Sequence, residues 1–140
     1  MSRDDDSGTH RREKALLSAA GIDPSDGWPG FIRTGSGMGL SLQVAGERRA
    51  YILSDLGTFL AFRQRTELVA LFSRADDSLR NVYSYLRVNP ERFARVHAEE
   101  AKALEAFLVR RETMTRIAAF GRERFGRSLF HPIETAFEAP

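Results

Sequence analysis

Apolar positions in this chain come in short clusters separated by glycine, proline and charge, so the pattern divides it into many small elements. After a polar opening, Leu16, Leu17 and Ala20 fall at helical spacing, with Asp6 or Ser7 as the N-cap and Gly21 as a stop, which predicts a helix over 8–20. Pro24, Gly27, Pro29 and Gly30 then force a surface loop that carries Trp28. Phe31 to Thr34 predicts a short strand, and the glycine-rich turn Thr34 to Gly39 opens a short helix holding Leu40, Leu42 and Val44. Tyr51 to Leu53 is β-prone, and Ser54 or Asp55 caps a helix through Phe59, Leu60 and Phe62. Two more strands are expected at Glu67 to Phe72 and Val82 to Val88, separated by a polar turn over 74–78.

The remainder reads as helical. Asn89-Pro90 is a cap followed by a first-turn proline, and Phe93, Val96, Ala101, Leu104 and Leu108 draw an apolar stripe behind it. A second helix is expected from about Glu112 to Arg124, with Met114, Ile117, Ala118 and Phe120 inward, and the tail Phe130 to Pro140 is expected to be irregular. Short strands alternating with helices predict an α/β fold. The division expected is an α/β lobe over 1–90 and a C-terminal helical segment over 91–140.

Composition narrows the chemistry more than the fold. At 140 residues, 42% of them hydrophobic and 29% charged, the chain has the apolar mass for a real core. Its 21 basic and 19 acidic residues leave a net charge of +2, which argues against a polyanion partner, so no nucleic acid is expected. Lys14 and Lys102 are its lysines and the other basic residues are arginines, whose rigid donor fork suits anions better than an ammonium does. With no cysteine, disulfides, thiolate nucleophiles and cysteine-bound metals are excluded. No stretch approaches the roughly 20 apolar residues of a membrane span, and Asp4, Asp5 and Asp6 stand where a signal sequence is basic and then apolar.

The most informative stretch is Ser2 to His10. A helix that starts here leaves its first N–H groups unpaired and carries partial positive charge, so the Ser7-Gly8-Thr9 corner is able to cradle an anion. Gly8 lets the backbone come close, Ser7 and Thr9 add hydroxyls, and Arg3 offers a charge-assisted pair. The plainer reading is a capped helix beside a solvated arginine. The run Asp4-Asp5-Asp6 lacks the alternating spacing of a calcium loop, and no metal site is expected.

Arg3-Asp4-Asp5-Asp6-Ser7-Gly8-Thr9-His10, Thr34-Gly35-Ser36-Gly37-Met38-Gly39, Ser54-Asp55-Leu56-Gly57-Thr58-Phe59-Leu60 and Val88-Asn89-Pro90 come in an order and spacing that resembles one family. It is that of the tungstate-type substrate-binding proteins of ABC transporters, within the type II periplasmic binding proteins. Gly121 to Gly126 and Leu129 to Pro132 resemble its C-terminal end, so the likeness runs from residue 2 to about 132. It implies the second lobe of that fold, with C-terminal helices that return to a first lobe, and a protein that captures tungstate or molybdate and hands it to an ABC permease. On that resemblance Arg3 pairs with the anion's charge, Ser7 and Thr9 donate hydrogen bonds, and the Gly8 and Thr9 amides lie beside them. No catalysis and no cofactor are implied. The location implied is periplasmic or extracytoplasmic, or cytoplasmic if the chain as written is the whole product.

Departures from the family pattern set further expectations. Asp4 stands in place of a glycine, as a carboxylate expected to compete for Arg3. Leu56 replaces an arginine, and Arg110-Arg111 replaces a Ser-Pro helix entry. Met1 lies one residue before the motif, so the first lobe is expected to be missing, the half-site to bind anions feebly, and Phe93, Leu104, Phe107, Leu108 and Ile117 to seek cover in a homodimer or helix-swapped dimer. His10, His97 and His131 lack metal spacing and are expected at the surface or at helix ends. A cytoplasmic regulatory or interaction module, touching a protein or nucleic acid through Arg110, Arg111, Arg116, Arg122, Arg124 and Arg127, is the alternative reading.

Overall fold

The computed structural model describes residues 1–133 apart from Ser73 and Ala75. Contacts divide the chain into two units, Met1–Asn81 and a second beginning at Val82. Helices α1 (Gly8–Ala19), α2 (Met38–Arg48) and α3 (Leu56–Thr66), with a short 3-10 turn at Asp77–Leu79, build the first unit. Helices α4 (Ala98–Leu108), α5 (Arg111–Ala119) and α6 (Arg122–Phe125) build the second.

The helix starts follow from the residues expected to cap them. Ser7 Oγ accepts the His10 amide at 3.3 Å to begin α1, and the Asp55 carboxylate accepts both the amide and the hydroxyl of Thr58, at 2.8 and 3.0 Å, to begin α3. Helix α2 starts at Gly37 with no side-chain cap and stops at Arg49, which takes a left-handed φ of 50° so that the Ala50 amide reaches the Ala45 carbonyl at 2.9 Å.

The core of the first unit lies between α2 and α3. Met38, Leu42 and Ala45 bury one face of α2, with Leu42 only 1% exposed. Gly39 and Gly46 share that face and let α3 come close: a Cβ on Gly39 would meet the Phe62 ring at 2.7 Å, and one on Gly46 would overlap the Thr66 carbonyl oxygen. Ser41 is fully buried without being orphaned, since its hydroxyl meets that of Thr34 at 2.8 Å and donates to the Gly37 carbonyl at 3.1 Å.

The α/β expectation holds in its helices and not in its strands. Among the described residues, strand pairing amounts to one parallel bridge between Ser2 and Arg33, made by Ser2 N–H to the Ile32 carbonyl at 2.8 Å and Thr34 N–H to the Ser2 carbonyl at 3.0 Å. Residues 51–53, 67–72 and 82–88 form no strand. A β-prone run becomes a strand only when a neighbouring strand takes up its amides and carbonyls in a ladder, and no such ladder forms among the described residues; Val69, Leu71 and Leu86 are each 70% exposed or more.

The second unit departs from expectation at both helix boundaries. Asn89 does cap a turn, its side chain accepting the Glu91 amide at 2.8 Å, yet the turn closes on itself and α4 begins only at Ala98. The single helix expected over 112–124 is broken at Gly121, whose φ of 92° ends α5 and starts α6. A side chain there would strike Leu129, which returns to donate its amide to the Phe120 carbonyl at 3.0 Å. Tyr83 packs edgewise against Phe130 at a ring distance of 5.9 Å, and Phe120 packs on the same ring at a tilt, 5.8 Å away. Phe93, Leu104 and Phe107 remain exposed as expected, whereas Leu108 and Ile117 are half-buried. The tail from 134 lies outside the described residues. No described helix is long and apolar enough to cross a membrane.

Candidate functional site

The anion-binding residues expected from the sequence, Arg3, Ser7, Gly8 and Thr9, come together at the start of α1. Their placement begins with the bridge that clamps Ser2 against Arg33, and the Ser36 amide adds a bond to the Arg3 carbonyl at 3.3 Å. The chain then turns sharply, because Asp4 and Asp6 both take the left-handed region, with φ of 51° and 54°. Aspartate tolerates that region better than most residues do, and glycine tolerates it freely, which is a physical reason for the glycine the family pattern has at position 4.

Arg3 sits between two helix entries. Its Nε donates to the Ser36 carbonyl at 3.4 Å, on the turn that leads into α2, and a terminal guanidinium nitrogen pairs with Asp5 just before α1. Its side chain is 15% exposed, so the charge is held in place but not sealed off. At the other end of Asp5, Oδ1 accepts the Ser7 amide at 3.2 Å. The Ser7 hydroxyl first, then its amide and the Arg3 guanidinium, hold the Asp5 carboxyl below the usual carboxylate range.

The competitor for Arg3 is therefore Asp5, not Asp4. Asp4 instead lies 3.5 Å from His10 Nε2 and 4.0 Å from Arg33 Nε. Arg33 is itself committed to the loop, donating to the carbonyls of Pro24 and Ser25 at 2.7 and 2.8 Å while its guanidinium stacks over Phe31. His10 lies at a helix end, one of the two places expected for it, and is buried there at 7% exposure. Spacing gave no sign of this; what identifies it is the hydrogen bond that His10 Nδ1 accepts from the Asp6 amide at 3.1 Å.

Gly8 is informative for what it does not do. Its φ is ordinary and a Cβ there would meet nothing within 4 Å, so the fold itself gives no reason for glycine at this position. Gly37 at the start of α2 is equally unencumbered. Around Arg3 the molecule thus offers two helix starts, that of α1 capped by the Ser7 hydroxyl and that of α2 without a side-chain cap, and a carboxylate already resting on the guanidinium and the Ser7 amide. N–H and O–H donors at a helix start are able to hold an anion through hydrogen bonds. Among the described residues there is no group of three His, Cys, Asp or Glu side chains able to hold a metal ion.

No protein-family profile matches the chain. Individual proteins do. The tungstate-binding protein TupA of Peptoclostridium acidaminophilum is 36% identical over 132 residues, which take in 94% of this chain and 45% of that protein. Its Campylobacter jejuni counterpart is 31% identical over 124 residues, 86% of this chain and 45% of the relative. A crystal structure described as the tungstate ABC transporter from Geobacter sulfurreducens superposes with a TM-score of 0.64 at 35% identity, covering 85% of this chain and 49% of that one. The chain thus spans about half the length of the relatives it matches, and the resemblance read from its motifs holds: nearly all of it corresponds to about half of a tungstate-type substrate-binding protein of ABC transporters.

Proposed function

We propose that this chain is the second lobe and C-terminal segment of an oxyanion-binding protein for ABC uptake, working outside the cytoplasm on tungstate or molybdate and delivering it to a permease without catalysis. The lobe is taken to run over 1–90 and the returning helical segment over 91–140. The observation that carries this reading is the placement of Ser7, Gly8 and Thr9 at the start of α1 with Arg3 joined to them through Asp5, in a chain matched over 94% of its length by a tungstate-binding relative. A tetrahedral dianion suits that corner because backbone amides, hydroxyls and a guanidinium need no counter-cation to hold it.

Gly8 provides the test that separates function from fold. Since nothing surrounds its Cβ position, Gly8→Ala is expected to leave thermal stability unchanged or raise it by up to about 1 kcal/mol. The added methyl stands where the anion approaches the amides, so affinity for tungstate is expected to fall about fivefold, a loss of about 1 kcal/mol. Calorimetric titration with tungstate, molybdate, sulfate and phosphate, carried to millimolar anion because a half-site open to water binds weakly, measures the effect. Equal tungstate affinity in the two proteins would remove α1 from the site.

The same reading bears on the second unit. Phe107, Ile117, Phe120 and Phe130 line an apolar groove of about 350 Å³, and Phe93 and Leu104 are exposed nearby in sequence. In a two-lobed protein this segment packs on the other lobe; for the chain alone, a homodimer or an exchange of helices between chains gives the equivalent cover. Light scattering at high concentration is expected to show a dimer, and a clean monomer would count against it.

A further inference from the structure

We infer that His10 is a positioning residue for the oxyanion site, acting through the turn that precedes α1 and not by touching the anion. The inference rests on the function proposed above, though its central bond does not. His10 is buried at 7% exposure on the first turn of α1, and its ring reaches back four residues so that Nδ1 accepts the Asp6 amide at 3.1 Å. That bond closes a loop in which Asp4 and Asp6, both left-handed, hold Asp5 between Arg3 and the Ser7 amide. Left-handed residues other than glycine persist only where surrounding contacts enforce them, and the His10 ring is the contact that takes up the amide of Asp6. Without it the turn loses its reason to hold this shape, and the guanidinium and the Ser7 corner lose their common register.

The bond also dictates the state of the ring. With Nδ1 accepting, the proton of neutral His10 lies on Nε2, which faces Asp4 Oδ1 at 3.5 Å. A second proton would sit on Nδ1 and point at the Asp6 N–H, donor against donor.

The test uses the full chain with His10→Asn and His10→Leu and inorganic tungstate as the probe. Asparagine carries an amide oxygen in the place of Nδ1. His10→Asn is expected to bind within about twofold of the parent and His10→Leu at least about tenfold more weakly, the loss of one such hydrogen bond being about 1.4 kcal/mol. Parent-like binding by His10→Leu, or no rescue by His10→Asn, overturns the inference. The amide of Asp6, followed by NMR hydrogen exchange with no anion present, judges it even if tungstate proves not to bind or His10→Leu fails to fold. An Asp6 amide protected from exchange in the parent and in His10→Asn supports the inference; one unprotected in the parent overturns it.

Discussion

Leu42→Ala is expected to destabilise the first unit by about 3 kcal/mol, within the range of about 2–5 kcal/mol seen when a buried leucine is cut back to alanine. Leu42 is 1% exposed and stands with Met38 and Ala45 as the buried apolar residues among those described. Two terms add at this position. The lost methyl groups forfeit their transfer free energy, and the hole they leave is slow to close because α2 and α3 are already at backbone contact through Gly46. A relaxed helix pair would have to slide, and the Thr66 carbonyl against Gly46 leaves no slack in that direction. In a domain of this size a loss of about 3 kcal/mol lowers the melting temperature by more than about 10 °C. Urea unfolding followed by circular dichroism checks it: the midpoint should fall at constant slope, and a change below about 1 kcal/mol would mean that the α2 to α3 contact does not carry the unit.

The contrast between what could and could not be read in the sequence follows the reach of each interaction. The start of α1 at Ser7 and that of α3 at Asp55 were legible because a cap bonds an amide three residues away, and so both partners lie in one short window. Strands at 67–72 and 82–88 were misread because their partners are not local: composition registers that a segment would pair, never that a neighbour is present. Asn89-Pro90 carries the right residues for a helix start and forms only a turn, since a cap opens a helix without supplying the packing that extends it. At the proposed site Arg3, Ser7, Gly8 and Thr9 could be named from the sequence, while the aspartate that pairs with Arg3 and the Ser7 amide could not. Two left-handed residues decide which aspartate faces Arg3, and three aspartates in a row look alike until φ is known. The burial of His10 was hidden for a related reason: its partner is a backbone amide in a turn, which leaves no mark in hydrophobic periodicity.

Arg3→Ala is expected to lower tungstate affinity by about 30- to 100-fold, because hydrogen bonds to a charged group contribute about 1.5–3 kcal/mol and the substitution does more than delete them. Arg3 at present neutralises Asp5, whose other oxygen already accepts the Ser7 amide. Removing the guanidinium leaves that carboxylate unpaired beside the start of α1, where it repels an incoming dianion and keeps its hold on a donor the anion needs. Lost attraction and uncovered repulsion therefore act together, and the double variant Arg3→Ala with Asp5→Asn separates them. If repulsion matters, the double variant binds several-fold more tightly than Arg3→Ala alone while staying well below the parent, a coupling of about 1 kcal/mol in the cycle. Asp5→Asn alone has a different expectation: the carboxylate that competes for Arg3 and Ser7 is gone, so affinity rises, and it rises more for a divalent anion than for a monovalent one of similar size. Arg3→Lys restores charge without the fork and is expected to recover only part of the loss, since an ammonium cannot span two oxygens as a guanidinium does. Calorimetric titrations of the four variants against tungstate and sulfate give all of these comparisons. Unchanged affinity in Arg3→Ala would mean that the guanidinium serves only to tie Asp5 and Ser36 together, and the oxyanion reading would fall with it.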